Sequence, residues 1–310
     1  MLFVFTLALH LYYFIVTTDN YAPWAFSIGS SFFSELNANS LIRIAIALSL
    51  ISIQGIFLNG LVTKHKFSRA LSTIPGLTFI LFSCFVLNPI ILHPILIANL
   101  FLILALSSLF KLYKKFQPVG TIFNSGFYLG CAVLVYQPYL VYLVVLLTGL
   151  YALRNLNLRE FLQMIFGFLL PFYLLQVVLW HQGTDQSVIS VVTENFSIPN
   201  FNFDLEDFSW LKLLITMLII GYALLGYNEV KKKKKFDAIK KIEIAYWMLL
   251  LSIPSLLFIP NLGISHLLIL SVPIGLLVGL LLEAKKYVLV KEFSFLLFLA
   301  VHLAFLFGAF

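Results

Sequence analysis

Residues 265–286 read SHLLILSVPIGLLVGLLLEAKK. No charged side chain occurs from Ser265 to Leu282, and Glu283, Lys285 and Lys286 then follow at once. The hydrocarbon core of a bilayer is about 30 Å thick and takes roughly 20 apolar residues as a helix. The stretch therefore reads as a spanning helix that stops at a charged rim. Working outward, the same pattern recurs at approximately 2–17, 41–62, 71–88, 95–111, 120–137, 139–153, 161–180, 211–228, 244–260 and 293–310, giving about eleven transmembrane helices in all. The expected fold class is all-α, a polytopic integral membrane protein. Composition agrees, since 61% hydrophobic and 11% charged residues leave too little polar surface for a water-soluble domain of 310 residues.

Pro138 disfavours helix at Gln137 and suits a tight turn, so 120–137 and 139–153 form a hairpin rather than one kinked helix. Basic residues then set the orientation, because cytoplasmic connections carry Lys and Arg in excess. With Met1 inside, the cytoplasmic connections hold every basic residue except Arg43 and Lys212, each of which opens a helix on the outer side. N-in, C-out topology in a bacterial inner membrane is the expectation. The net charge of +7 is accounted for by this asymmetry, with no call for nucleic acid. The first apolar segment lacks a small-residue cleavage pattern and reads as an uncleaved span. The predicted organisation is a transmembrane core over 1–228 with outer loops 18–40 and 181–210, a cytoplasmic Lys-rich loop 229–243, and a C-terminal three-helix segment 244–310. The run Lys231 to Lys235 serves as a topology anchor or a contact for anionic lipid.

The outer loops carry the candidate chemistry. Trp24, Ile28, Phe32 and Leu36 recur every four residues, as in an amphipathic helix lying in the interface. Asp19 precedes it, either as a carboxylate facing a lipid head group or as a solvated helix cap. In 181–210, acids occur without a Lys or Arg, and Phe201, Phe203 and Leu205 alternate with polar residues as in a strand. His93, His181 and His266 all fall at outer helix ends but follow no metal-ligand spacing, so no metal is expected. His10 and His302 lie within spans, where a helix–helix hydrogen bond competes with a proton relay. Near span centres only neutral polar groups stand, among them Gln54, Asn99, Asn124 and Gln176, which weighs against coupled transport. Cys84 and Cys131 sit in apolar stretches as small hydrophobes. No nucleotide-cradling Gly loop, catalytic triad or zinc motif occurs, and no cofactor is implied.

From His93-Pro94 onward the order is Asn99-Leu100-Phe101, Lys111 to Lys115, Asn124-Ser-Gly-Phe-Tyr-Leu-Gly130, Tyr136-Gln-Pro138, Asn157-Leu-Arg-Glu160 and Gly167-Phe-Leu-Leu-Pro171. This order resembles an uncharacterised multi-pass membrane family of Bacteroidetes, over about residues 40 to 310. More loosely, the layout resembles the GT-C superfamily of glycosyltransferases that use polyprenyl-phosphate-linked sugars. Members start inside, carry an acid and an interfacial helix in the first outer loop, and often open the second span with a basic residue, as Arg43 does. The resemblance implies that Asp19 acts as general base on an acceptor hydroxyl, while Arg43, His181 or Lys212 holds the donor phosphate. The chain departs from that pattern in lacking a paired acidic motif in the first loop and in placing Asn99 where an acid is often found. The functional expectation is a role in cell-envelope biogenesis as such a transferase. The alternatives are a non-catalytic structural or assembly subunit of an envelope complex, and a transporter or flippase. Expected partners are membrane lipids, a polyprenyl-phosphate-linked sugar and envelope subunits.

Overall fold

The computed structural model describes residues 40–68, 73–87, 92–154, 157–181, 209–232, 234–256 and 263–284, with isolated positions at 292, 296, 299 and 300. Every regular element among them is helical. In chain order they are α1 (Ser40–Lys64), α2 (Ile74–Val86), α3 (Pro94–Phe110), α4 (Val119–Val135), a 3₁₀ turn Gln137–Val141 leading into α5 (Tyr142–Arg154), and α6 (Leu158–His181). Then come α7 (Ser209–Leu225), the short α8 (Tyr227–Lys231), α9 (Phe236–Ser255), and a 3₁₀ segment Ile264–Leu270 leading into α10 (Ser271–Ala284). Each apolar segment expected between residues 41 and 283 overlaps one of these helices, although α9 starts eight residues before the expected 244. Four stretches, 43–64, 137–154, 158–181 and 264–284, are long and apolar enough to cross a membrane. The expected first and last spans, 2–17 and 293–310, lie outside the continuously described residues.

Helix ends follow local chemistry. In α1 the chain stops through a Schellman closure, with Phe67 N–H donating to the Val62 carbonyl at 3.0 Å and Lys66 N–H to Thr63 at 3.2 Å. Lys66 sits at φ 54°, the left-handed geometry that such a closure demands. At the other rim, Pro94 opens α3 in the first turn, where its missing N–H costs nothing. Tyr136 is extended at φ −149°, ψ 103°, which ends α4 and lets the chain turn back. The turn is a hairpin, as Pro138 predicts, because Arg154 at the end of α5 donates to the carbonyl of Lys115, just before α4 begins.

Between apolar helices in lipid there is no hydrophobic drive to associate, so close approach through small residues supplies the packing. Glycines occupy three such seams. Across α4 and α6, a Cβ at Gly126 would fall on the Met164 carbonyl oxygen, and one at Gly167 on the Phe123 carbonyl oxygen. Across α2 and α10, Gly275 faces the backbone of Phe79 and Gly279 that of Pro75. Across α1 and α2, Gly76 packs on Gly55, and its N–H donates to Asn59 Oδ1 at 2.7 Å. α10 lies at the centre, with each residue from Ser271 to Leu282 buried. The principal packing runs α7–α10–α2–α1–α3–α4–α6, and α9 bridges α5 and α10.

The bundle has two unlike ends. At one, Lys241 Nζ lies 3.3 Å from His65 Nδ1, Lys234 donates to the Phe67 carbonyl, and Lys240 donates to the Ala152 carbonyl at 2.7 Å. Helix polarity puts the described basic residues of 64–66, 111–115, 154–159 and 231–241 at this pole. Acids of the same segments pair with them, Glu160 with Arg154 at 3.1 Å and Glu243 with Lys231 at 2.5 Å. The opposite pole gathers the start of α3, the end of α4 and the 3₁₀ segment before α10.

Candidate functional site

At the pole opposite the lysines, three tyrosines stand in a column. Residues three apart eclipse one another in a 3₁₀ helix, and the turn Gln137–Val141 puts Tyr136, Tyr139 and Tyr142 in one file. Their rings meet edge to face, with centroids 5.8 Å and then 5.2 Å apart. Each hydroxyl has its own partners. Tyr136 hydrogen-bonds His266 Nδ1 at 2.6 Å. Tyr139 donates to Asn99 Oδ1 at 2.6 Å, and Asn99 Nδ2 donates to Ser271 Oγ at 2.9 Å and to the Leu268 carbonyl at 3.2 Å. Ser252 donates to the Met248 carbonyl at 2.6 Å, so the single proton of Tyr142 is shared between Ser252 Oγ at 2.8 Å and the Ile269 carbonyl at 3.2 Å. The column thus ties one 3₁₀ segment to the other, with Asn99 on α3 between them.

His93 and His266 stand edge to face at the rim, with centroids 5.7 Å apart. His93 Nδ1 accepts from the Ile95 N–H at 3.3 Å and so caps α3. That contact leaves the imidazole proton on Nε2. Burial, and then the neighbouring His266, push the His93 pKa down to about 3, so the ring is neutral. Two of the three histidines expected at outer helix ends are thereby brought together. His181 is exposed at the end of α6, and among the described residues no three His, Cys, Asp or Glu side chains gather as a metal site.

The other sequence-derived candidates are distributed around this pole. Asp19, and with it the amphipathic helix Trp24 to Leu36, lies outside the described residues, as does the strand of 201–206. Arg43 is half-buried in the opening turns of α1, and Lys212 is half-buried in the first turn of α7. Together with His181 they share the pole opposite the lysines. Their helices have different principal neighbours, α2 and α3 for α1, α4 for α6, and α10 for α7, so the three ring the rim rather than lie on adjoining helices. Asn99 is fully buried and engaged on both ends of its amide. The Tyr column was not foreseen, although Tyr at 136, 139 and 142 around Gln-Pro is a readable signal once the turn is taken as 3₁₀.

Chemically, the column is a clasp in which Tyr139 and Tyr142 donate to internal acceptors and Tyr136 is paired with His266. At its rim, the two imidazoles and the Tyr136 phenol can hydrogen-bond a polar head group, and no carboxylate base stands with them among the described residues. No protein family, curated protein or solved structure matches this chain.

Proposed function

We propose that this chain is a multi-pass protein of the bacterial inner membrane that works in cell-envelope biogenesis, transferring sugar from a polyprenyl-phosphate-linked donor at its outer pole. In this reading the lysine pole is cytoplasmic, and about eleven spans adopt a GT-C-like arrangement. Asp19 deprotonates the acceptor hydroxyl, and Arg43, with Lys212 or His181, holds the donor phosphate. The observation that supports it is the segregation of charge. Arg43 and Lys212 are the described Lys and Arg side chains at the pole opposite the lysine cluster, the same pole as the His–Tyr clasp. The deciding experiment compares Asp19→Asn and Arg43→Gln with a full deletion in cells, reading surface glycan and lipid-linked intermediates. Glycan loss with build-up of the lipid-linked donor in both variants is expected. An unchanged profile in the variants and in the deletion would overturn the reading.

A non-catalytic assembly subunit is the second reading, favoured by the flank of α6. Of its 24 residues only Met164, Gly167, Phe168 and Pro171 are buried, and Phe166, Leu169, Tyr173, Val177 and Trp180 project outward. Lipid contact follows directly from such a surface, and a partner helix fits it equally well. A glycan defect in the deletion that Asp19→Asn does not reproduce is the result this reading expects. Transport has less support, because Asn99 lies in the clasp whereas Asn124 opens onto a recess beside Lys115.

A further inference from the structure

The lysine pole contains a recess that the proposed transfer chemistry does not use. It has a volume of about 340 Å³ and lies between the end of α3 and the first turns of α4, lined by Lys111, Lys115, Gln117, Thr121, Asn124 and Tyr128 among others. No carboxylate is among its lining residues. The nearby acid Glu160 is already paired with Arg154. Lys115 Nζ donates to Thr121 Oγ1 at 2.6 Å, and both residues line the recess. Burial, and then Lys64 and Lys115 nearby, hold the Lys111 pKa below its ordinary value. Two cations therefore line one recess with no carboxylate in its walls, and an anion seated there would be attracted to both.

Two further features point the same way. α4 begins without a side-chain cap, and the N–H of Gly120, which lines the recess, is one of the donors that helix geometry leaves without an intrahelical acceptor. Asn124 is exposed five residues beyond the start of α4. That places its amide about 8 Å beyond the start of α4, toward the hydrocarbon, where an unsolvated amide is costly. A polar occupant that enters from the charged rim and reaches Asn124 satisfies both the amide and the lysines.

We propose that this recess between α3 and α4 binds a phosphate monoester, held by Lys111, Lys115 and the first turn of α4 with Asn124 beneath. Basic recesses between transmembrane helices are suited to phosphate-bearing lipid head groups, and a free phosphate offers the same oxygens. The proposal is independent of the transferase reading, because it concerns the opposite pole and no residue assigned there.

The test uses the full chain in zwitterionic detergent and measures thermal unfolding with added short-chain phosphatidic acid, phosphatidylcholine of the same chains, or inorganic phosphate. Stabilisation by phosphatidic acid but not phosphatidylcholine, weakened on the order of 30-fold in apparent affinity by Lys111→Gln with Lys115→Gln, is expected for a lipid ligand. A response to inorganic phosphate that is as strong and equally lost in the double variant identifies free phosphate as the source. The control, Lys232→Gln with Lys235→Gln, removes the same charge from the exposed run and should leave the response intact. If the double variant does not fold, Asn124→Leu, at an exposed position, takes its place and should weaken the response. No response to either phosphate, or one that the control abolishes as well as the double variant does, overturns the proposal.

Discussion

Gly275→Ala tests whether the centre of the bundle is held by backbone contact. A Cβ built at Gly275 would lie 2.6 Å from Phe79 Cβ and 2.8 Å from Phe79 Cα, where ordinary contacts begin at 3.4 Å. The helices must therefore part by about 0.8 Å, and no flexible side-chain tip is available to give way, because the obstacle is the backbone and Cβ of α2. The same displacement stretches the bond from Thr78 Oγ1 to the Gly275 carbonyl, which is 2.7 Å long and fully buried. Overpacking of this kind costs about 1–3 kcal/mol, and the added strain on a buried hydrogen bond puts the expectation near the top of that range, at about 3 kcal/mol. Chemical or thermal unfolding in detergent, followed by tryptophan fluorescence, measures it. The comparison is Gly60→Ala on α1 and Gly221→Ala on α7, where a Cβ meets nothing within 4 Å. Those two should be neutral or gain up to about 1 kcal/mol from helix propensity. If Gly275→Ala unfolds with the same midpoint as Gly60→Ala, the glycine seam is not what joins α2 to α10.

Tyr139→Phe leaves Asn99 Oδ1 buried without its donor and should cost about 1–3 kcal/mol, whereas Tyr142→Phe should cost less because Ser252 keeps its bond to Met248; unfolding of the two variants and of an Asn99–Tyr139 double-mutant cycle checks the order. His65 is held neutral at the lysine pole, with its pKa lowered to about 3 by burial first, then by Lys241, Lys64 and Lys111, against an opposing contribution from Asp237. A folded-state pKa below the unfolded value means that the unfolded chain binds the extra proton. Stability is therefore full above about pH 6.5 and falls as the pH drops toward 3, and His65→Gln should flatten that slope in an unfolding series from pH 8 to pH 4. In cells, Asp19→Asn should reproduce the glycan phenotype of the deletion if the outer-pole chemistry holds, as read by glycan profiling.

What the sequence makes legible is what a bilayer selects for. Length and apolarity place the helices, Pro138 places a turn, and the positions of Lys and Arg place two poles. Which helix faces lipid is not legible, because lipid tails are as apolar as leucine and a buried span looks like an exposed one. The most apolar 18 residues of 264–284 and of 158–181 have mean hydropathies of 2.4 and 2.0, yet 89% of the first are buried against 22% of the second. A better clue was the small-residue spacing of Gly126 with Gly130 and Gly275 with Gly279, which marks two of the three seams. At the candidate site, the outer helix ends disclosed His93 and His266 but not their tyrosine partner. Tyr136, Tyr139 and Tyr142 drift by about 60° per step around an α-helix and stand in strict file only when three residues make a turn.

The two 3₁₀ segments also change how far the chain reaches along the membrane normal. An α-helix rises about 1.5 Å per residue and a 3₁₀ helix about 2.0 Å. As an unbroken α-helix, the 18 residues of 137–154 would extend about 27 Å, short of a hydrocarbon core of about 30 Å. Drawing the first five as 3₁₀ adds about 2.5 Å and nearly closes the gap. The seven residues of 264–270 lengthen the neighbouring span by about 3.5 Å. Both extensions lie at the same pole and are laced to each other through Tyr142, Tyr139 and Asn99. A thinner bilayer rewards winding them tighter into α-helix, and a thicker one rewards leaving them drawn out. The thickness of the surrounding membrane therefore bears directly on the pole where the His–Tyr clasp stands.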